Sequence, residues 1–159
     1  MLEITPDGWF SSGYTVACDG AEIATLRFRV LREAGTLSLR GERLTVRRQG
    51  AASGEWRLQG ADGRTLASAE KPSAWRNRIV VRAPDRPAPV RLQRRSAWGR
   101  AVDVVDGDRA VGSIRPVSMW SRRLVADLSG DLPEPLQLLA VWMVLLLVRR
   151  DASAAASSG

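Results

Sequence analysis

The chain contains no histidine. That removes the commonest general base near neutral pH, the commonest metal ligand and every nucleophile that depends on an imidazole partner. A single cysteine, Cys18, excludes an internal disulfide, and without histidine it also excludes a Cys/His zinc site. One thiol of this kind reads as a spectator at a strand end and leans toward a reducing compartment. Of 24 basic residues only Lys71 is lysine. There is no phosphate-cradling loop of the P-loop or dinucleotide type. The one tight acidic cluster, Asp103, Asp106 and Asp108, lacks the alternating ligands and final Glu of an EF-hand and reads as a hairpin turn. The start, Met1 to Gly8, has neither a basic segment nor an apolar core, so no secretory signal is expected and the default address is cytoplasmic. With these parts missing, an enzyme is not expected, and neither is a metal or cofactor.

What is present is alternation. Leu26, Phe28 and Val30 point one way while Arg27 and Arg29 point the other. The same period of two recurs at Leu37/Leu39, Leu44/Val46, Trp56/Leu58, Ile79/Val81, Val90/Leu92 and Val102/Val104. This is the pattern of antiparallel strands with one buried face, not the unbroken runs of a parallel sheet. Asp7-Gly8, Asp19-Gly20, Asp62-Gly63 and Asp106-Gly107 are hairpin signals between these segments. Three of them open a weak repeat: Asp19 to Leu26, Asp62 to Ala69 and Asp106 to Ile114 each follow the turn with apolar, small and hydroxyl residues. The small residue in each copy marks a place where backbones or a central helix come close. Counting segments predicts about ten to twelve strands in a closed barrel or sandwich.

The end of the chain differs. Leu138 to Val148 is an uninterrupted run of eleven apolar residues. A helix that is apolar on every side must be buried on every side, and about 20 residues are needed to span a bilayer. The run is therefore expected to fill the β-structure that precedes it. Pro133 and Pro135 place the helix start near residues 132–136, Asp131 with Glu134 reads as a capping pair, and Arg149-Arg150 suit the negative end of the helix dipole. The reading is one domain over residues 1–150, with the helix at about 133–150 and a disordered small-residue tail over 151–159.

Two features bear on function. Net charge is +7, with arginine doublets at Arg47-Arg48, Arg94-Arg95, Arg122-Arg123 and Arg149-Arg150. The charge is spread along the chain, which favours plain solvated rim charge, yet doublets at strand ends can reach solvent together and bind phosphate groups. The six tryptophans, Trp9, Trp56, Trp75, Trp98, Trp120 and Trp142, could stack on bases or sit at a lipid interface, but most fall at strand positions or in the helix, and core packing is the expectation.

Alternating strands, Asp-Gly hairpins and a terminal apolar helix in this order resemble the tubby C-terminal-like superfamily, which includes tubby proteins, phospholipid scramblases and LURP-one-related proteins. The resemblance covers residues 8–150. It is strongest at Asp106-Gly107 with Val111-Gly112-Ser113-Ile114-Arg115, followed by Met119 to Asp127, Leu132-Pro133 and the apolar helix. It implies an all-β fold with one C-terminal helix: a closed antiparallel barrel of about twelve strands around a central buried hydrophobic helix. The chain looks like a minimal bacterial-type member. The scramblases' Pro-rich extension, acylated cysteine cluster and acidic calcium segment have no counterpart here, and the phosphoinositide-binding residues of tubby proteins do not map onto particular arginines.

The expectation is thus a non-enzymatic binding domain for anionic phospholipid headgroups, acting at the inner face of a membrane, with Arg47, Arg48, Arg94, Arg95, Arg122 and Arg123 as candidate anion-binding residues. The alternatives are a tail-anchored membrane protein inserted through residues 136–148 and a basic nucleic-acid-binding β-barrel.

Overall fold

In the computed structural model, which describes residues 1–29, 32–50, 52–72, 78–97 and 99–159, each alternating segment is a strand with its apolar side turned inward. The strands are β1 (Leu2–Pro6), β2 (Gly13–Cys18), β3 (Ala21–Phe28), β4 (Gly35–Leu39), β5 (Glu42–Arg48) and β6 (Glu55–Gln59). They continue as β7 (Thr65–Glu70), β8 (Arg78–Arg82), β9 (Val90–Arg94), β10 (Val102–Asp106), β11 (Arg109–Pro116) and β12 (Leu124–Leu128). Each pairs antiparallel with its sequence neighbours, and β1 pairs with β12, Ile4 opposite Leu124, to close a twelve-stranded barrel. Closure leaves no sheet edge to pair with another chain. Val30 lies outside the described residues.

The three Asp-Gly repeats are the β2–β3, β6–β7 and β10–β11 hairpins, four strands apart in each case. Each carries a register shift beside the turn, at Val16/Ala17, Leu58/Gln59 and Val104/Val105. Their glycines adopt positive φ (81°, 80° and 60° at Gly20, Gly63 and Gly107), as tight hairpins demand. The small residues that follow are close-approach points: Ala24 and Ala67 are buried, and a Cβ on Gly112 would sit 2.4 Å from the Asp127 carbonyl oxygen. Asp7-Gly8, expected as a similar tight turn, belongs instead to a longer connection over residues 7–12. There Asp7 accepts a hydrogen bond from Thr15 Oγ1 at 3.0 Å.

Helix α1 (Glu134–Ser157) fills the barrel. From Leu138 to Leu146 every residue is buried, and no polar or charged residue is buried among the described residues. The helix lies closest to β7 and β8, where the inward Ala67 and Ala69 leave room for it. On another side Trp142 stacks on Phe28, with ring centroids 3.9 Å apart. Gly35 on β4 permits this stack: a Cβ there would lie 2.4 Å from Trp142 Cη2 and 2.0 Å from the Arg27 carbonyl oxygen. The indole N–H groups of Trp142 and Trp56 are buried without a hydrogen-bond acceptor, so the core gains area from these rings and forgoes part of their polar satisfaction.

The ends of the helix depart from expectation. The N-cap is Pro133 and makes no side-chain capping bond. The expected Asp131/Glu134 pair does not form because Glu134 turns outward to Arg40, 2.6 Å from its Nη2. Pro135 has no N–H to satisfy, which removes one orphan donor from the first turn, and Gln137 donates through Nε2 to the Leu132 carbonyl at 2.7 Å, tying the helix to the segment before it. At the other end the helix does not stop near residue 150 but runs through Ser157, so residues 151–157 of the expected disordered tail are helical and exposed. Alanine has the highest helix propensity. Ser153 and Ser157 donate through Oγ to the carbonyls four residues back, both at 3.0 Å, and Asp151 pairs with Arg94 at 2.8 Å.

Three outcomes follow from this architecture. A chain ending at Leu132 has an empty lumen lined by apolar side chains, and it should elute as aggregate on a sizing column while the full chain elutes as a compact species. Gly35→Ala overpacks the Trp142 stack and should lower stability by about 1–3 kcal/mol in a denaturant melt. The Arg40 hydrogen bond holds the Glu134 carboxyl below its usual range, so it contributes stability above its unfolded-state pKa and loses it as pH falls through the folded value. Glu134 is 43% exposed, and solvent screening keeps the effect small. Glu134→Gln should therefore lower the Tm slightly at pH 7, with the gap to the parent closing below about pH 4.

Candidate functional site: a basic end with exposed aromatics

Because every neighbouring pair is antiparallel, the connections after odd-numbered strands lie at one end of the barrel and those after even-numbered strands at the other. The helix begins at the second end, where Glu134 meets Arg40 of the β4–β5 turn. It leaves at the first, where Arg150 pairs with Glu33 of the β3–β4 connection. We call the exit side the upper end.

Topology sorts the charges. Among the described residues, the upper connections (between β1 and β2, β3 and β4, β5 and β6, β7 and β8, β9 and β10, and β11 and β12) carry Arg29, Arg32 and Lys71, then Arg95, Arg100, Arg122 and Arg123, against Asp7 and Glu33. The lower ones (19–20, 40–41, 60–64, 83–89, 107–108 and 129–133) carry Arg40, Arg64 and Arg86 against Asp19, Asp62, Asp85, Asp108 and Asp131. All four arginine doublets are also at the upper end. A charge that looks evenly spread along the sequence is thus polarised along the barrel axis.

The six candidate arginines ring this end and do not form one patch. Three are held by carboxylates. Arg48 Nη1 lies 3.1 Å from Glu33 Oε2, an ion contact without hydrogen-bond alignment, and Arg48 packs over Trp56 at 5.5 Å. Arg94 pairs with Asp151 at 2.8 Å and Arg95 with Asp103 at 2.6 Å. Arg122 bonds only to backbone: its Nη1 donates to the carbonyls of Gly8, at 3.1 Å, and Trp9, and its Nη2 to that of Ser11 at 3.4 Å. Among the described residues, Arg47 and Arg123 are exposed and have no side-chain partner. Arg149 and Arg150, expected to complement a helix end, instead pack over Phe28 and Trp56 at 4.9 and 5.6 Å, inside a helix that continues past them.

The tryptophans divide. Trp56 and Trp142 are core residues, as expected. Trp9 and Trp120 are not: they are 88% and 90% exposed, beside a fully exposed Phe10 and a 78% exposed Met119. Both sit in connections free of the period-two pattern, so no strand turns them inward. Trp75 and Trp98 lie outside the described residues. Trp9 and Trp120 line one depression of ≈390 Å³ together with Pro6, Gly8, Arg122 and Arg123. The two loops are stitched together by Arg122, while Arg100 donates to the carbonyls of Met119 and of Ser121, the latter at 3.1 Å.

No family model, curated protein or solved structure matches the chain. The site must be read from its own chemistry.

Other clefts are less suited to a ligand. A cleft of ≈180 Å³ where the helix leaves the barrel is lined by Lys71, Arg78, Arg94 and Arg150, but Asp151 already lies among these cations. At the lower end a depression of ≈290 Å³ contains the Arg40–Glu134 pair and Cys18. The Cys18 side chain is half-buried, and its thiol donates to Asp19 Oδ2 over 3.8 Å. No group of three or more His, Cys, Asp or Glu residues is placed to hold a metal among the described residues. The Asp103–Asp106–Asp108 cluster is dispersed: Asp103 pairs with Arg95, Asp106 with Arg86 at 2.5 Å, and Asp108 sits in the β10–β11 turn.

Proposed function

We propose that this barrel is a non-enzymatic domain that binds anionic phospholipid surfaces through its upper end. The observation that carries the reading is the polarisation of charge, with basic connections gathered at the end where the long loops and exposed aromatics lie. Arginine stems lie along apolar surface while their heads meet phosphate. Each basic residue near an anionic leaflet contributes about 1 kcal/mol, and the attraction fades within a Debye length. The lumen is filled by α1, so the reading needs no interior ligand. A barrel closed around an apolar helix is also the fold implied by the tubby-like resemblance, whose members include membrane-associated proteins. The run proposed as an alternative anchor is enclosed by the strands, and no helix among the described residues is long and apolar enough to cross a membrane.

The test is cosedimentation with phosphatidylglycerol-containing and pure phosphatidylcholine vesicles at increasing salt. Binding should be confined to the anionic vesicles and weaken with salt. Arg123→Glu and Arg47→Glu should each weaken it by about fivefold or more, while Arg109→Glu, the same charge change at the lower end, should leave it nearly unaltered. Equal losses for all three would show a response to net charge alone. Salt-sensitive binding to duplex DNA with none to vesicles would favour the nucleic-acid alternative.

A further inference from the structure

We infer that the upper end inserts two loop tips, Trp9-Phe10 and Met119-Trp120, into the interfacial layer of the bilayer, so that the β11–β12 and β1–β2 loops form the anchoring sector of the rim. This rests on the surface-binding reading above and gives it a location and a depth.

Four large apolar side chains at two adjacent loop tips are all more than three-quarters exposed, and among the described residues the next most exposed large apolar side chains are Met1 at 60% and Val117, in one of the same loops, at 51%. Such a cluster marks an interaction surface. Its composition fits the boundary between headgroups and acyl chains. Indole has a flat apolar body and one polar N–H, and tryptophan concentrates at that depth. Residues 8–12 and 117–123 contain no carboxylate to be repelled by anionic lipid. Asp7, just outside, is turned to Thr15.

The backbone is prepared as well. A loop entering a less polar layer must bring its carbonyls already satisfied. The carbonyls of Gly8, Trp9 and Ser11 accept from Arg122, and those of Met119 and Ser121 accept from Arg100. These five carbonyls belong to the two loops that carry the exposed rings. A guanidinium bonded to neutral carbonyls keeps its full charge, so the two arginines that satisfy the loops also attract phosphate groups. A protein partner would equally cover the apolar tips, but it would not require positive charge to accompany them; an anionic membrane does.

The experiment uses the full chain with vesicles containing phosphatidylglycerol, with and without brominated acyl chains, which quench tryptophans that reach them. Trp9→Ser/Trp120→Ser is the main variant and Phe10→Ser/Met119→Ser a second, with thermal melts confirming that both fold. The parent should be quenched, and part of its binding should resist salt. Read in a Trp75→Phe/Trp98→Phe background, so that the buried Trp56 and Trp142 are the only other tryptophans, Trp9→Ser/Trp120→Ser should lose most of the quenching and should bind at least about tenfold more weakly near 0.15 M salt. Phe10→Ser/Met119→Ser should lose the salt-resistant fraction. If the parent binds anionic vesicles but both variants bind as tightly and quenching is unchanged, insertion is overturned and the electrostatic reading stands. If the parent fails to bind even at low salt, the surface reading itself fails. If the parent forms a lipid-free dimer that the variants abolish, the tips are a contact between copies and the inference is overturned.

Discussion

A helix apolar on every face and a barrel that needs a filling depend on each other. α1 cannot present the run from Leu138 to Val148 to water without a large free-energy penalty, since each fully buried Leu, Ile, Val or Met contributes roughly 1.5–3 kcal/mol. The strands in turn point Ile4, Leu26, Leu58, Val104 and their neighbours at a space that only a helix of that character fills. The match is close enough that Trp142 needs a glycine opposite it. Two consequences follow. Among the described residues the interior is occupied by α1, unlike barrels of similar size that enclose a ligand, and this directs the functional reading to the outside of the barrel. The helix also gives the barrel a direction, with Glu134 fastened to Arg40 at one end and Arg150 to Glu33 at the other.

That direction would mean little if the two ends were alike, and they are not. Tight hairpins at the lower end call for Asp-Gly sequences, whose backbone conformation glycine and aspartate tolerate best; Asp19, Gly20, Gly63 and Gly107 all have positive φ. Part of the lower end's acidity is therefore a by-product of turn chemistry. The upper connections are mostly longer and under no such demand. Turn geometry there does not call for the exposed Trp9 and Trp120 or for Arg123, unpaired among the described residues, which makes them the more informative residues.

The barrel was legible because alternation, Asp-Gly turns and an apolar helix are local patterns, each with one physical solution. Three things were not. The helix's end was misplaced because Ala and Ser at its tail are ambiguous until Asp151 finds Arg94, a partner distant in sequence. Trp9 and Trp120 were assigned to the core because tryptophan is usually there, although neither sits in an alternating segment. The arginine doublets could not be sorted because their partners are non-local: Glu33 lies far from Arg150, and Gly8 far from Arg122. The polarisation of charge had a readable signal in the parity of the connections. Once the strands are known to run up and down in order, every second loop shares an end.

The same pairings divide the arginines by task. Around the helix exit, Arg48 and Arg150 converge on Glu33 and Trp56, and Arg94 is taken by Asp151. These contacts fasten the loops and the emerging helix, and each carboxylate cancels charge locally. In the sector of β11, β12, β1 and β2 the bonding is different. Arg100 and Arg122 hold carbonyls, and Arg123 holds no described side chain. Carbonyls position a guanidinium without neutralising it. Beside the most exposed rings, Arg100, Arg122 and Arg123 are therefore not paired with carboxylates among the described residues, an arrangement that a stabilising rim alone would not need.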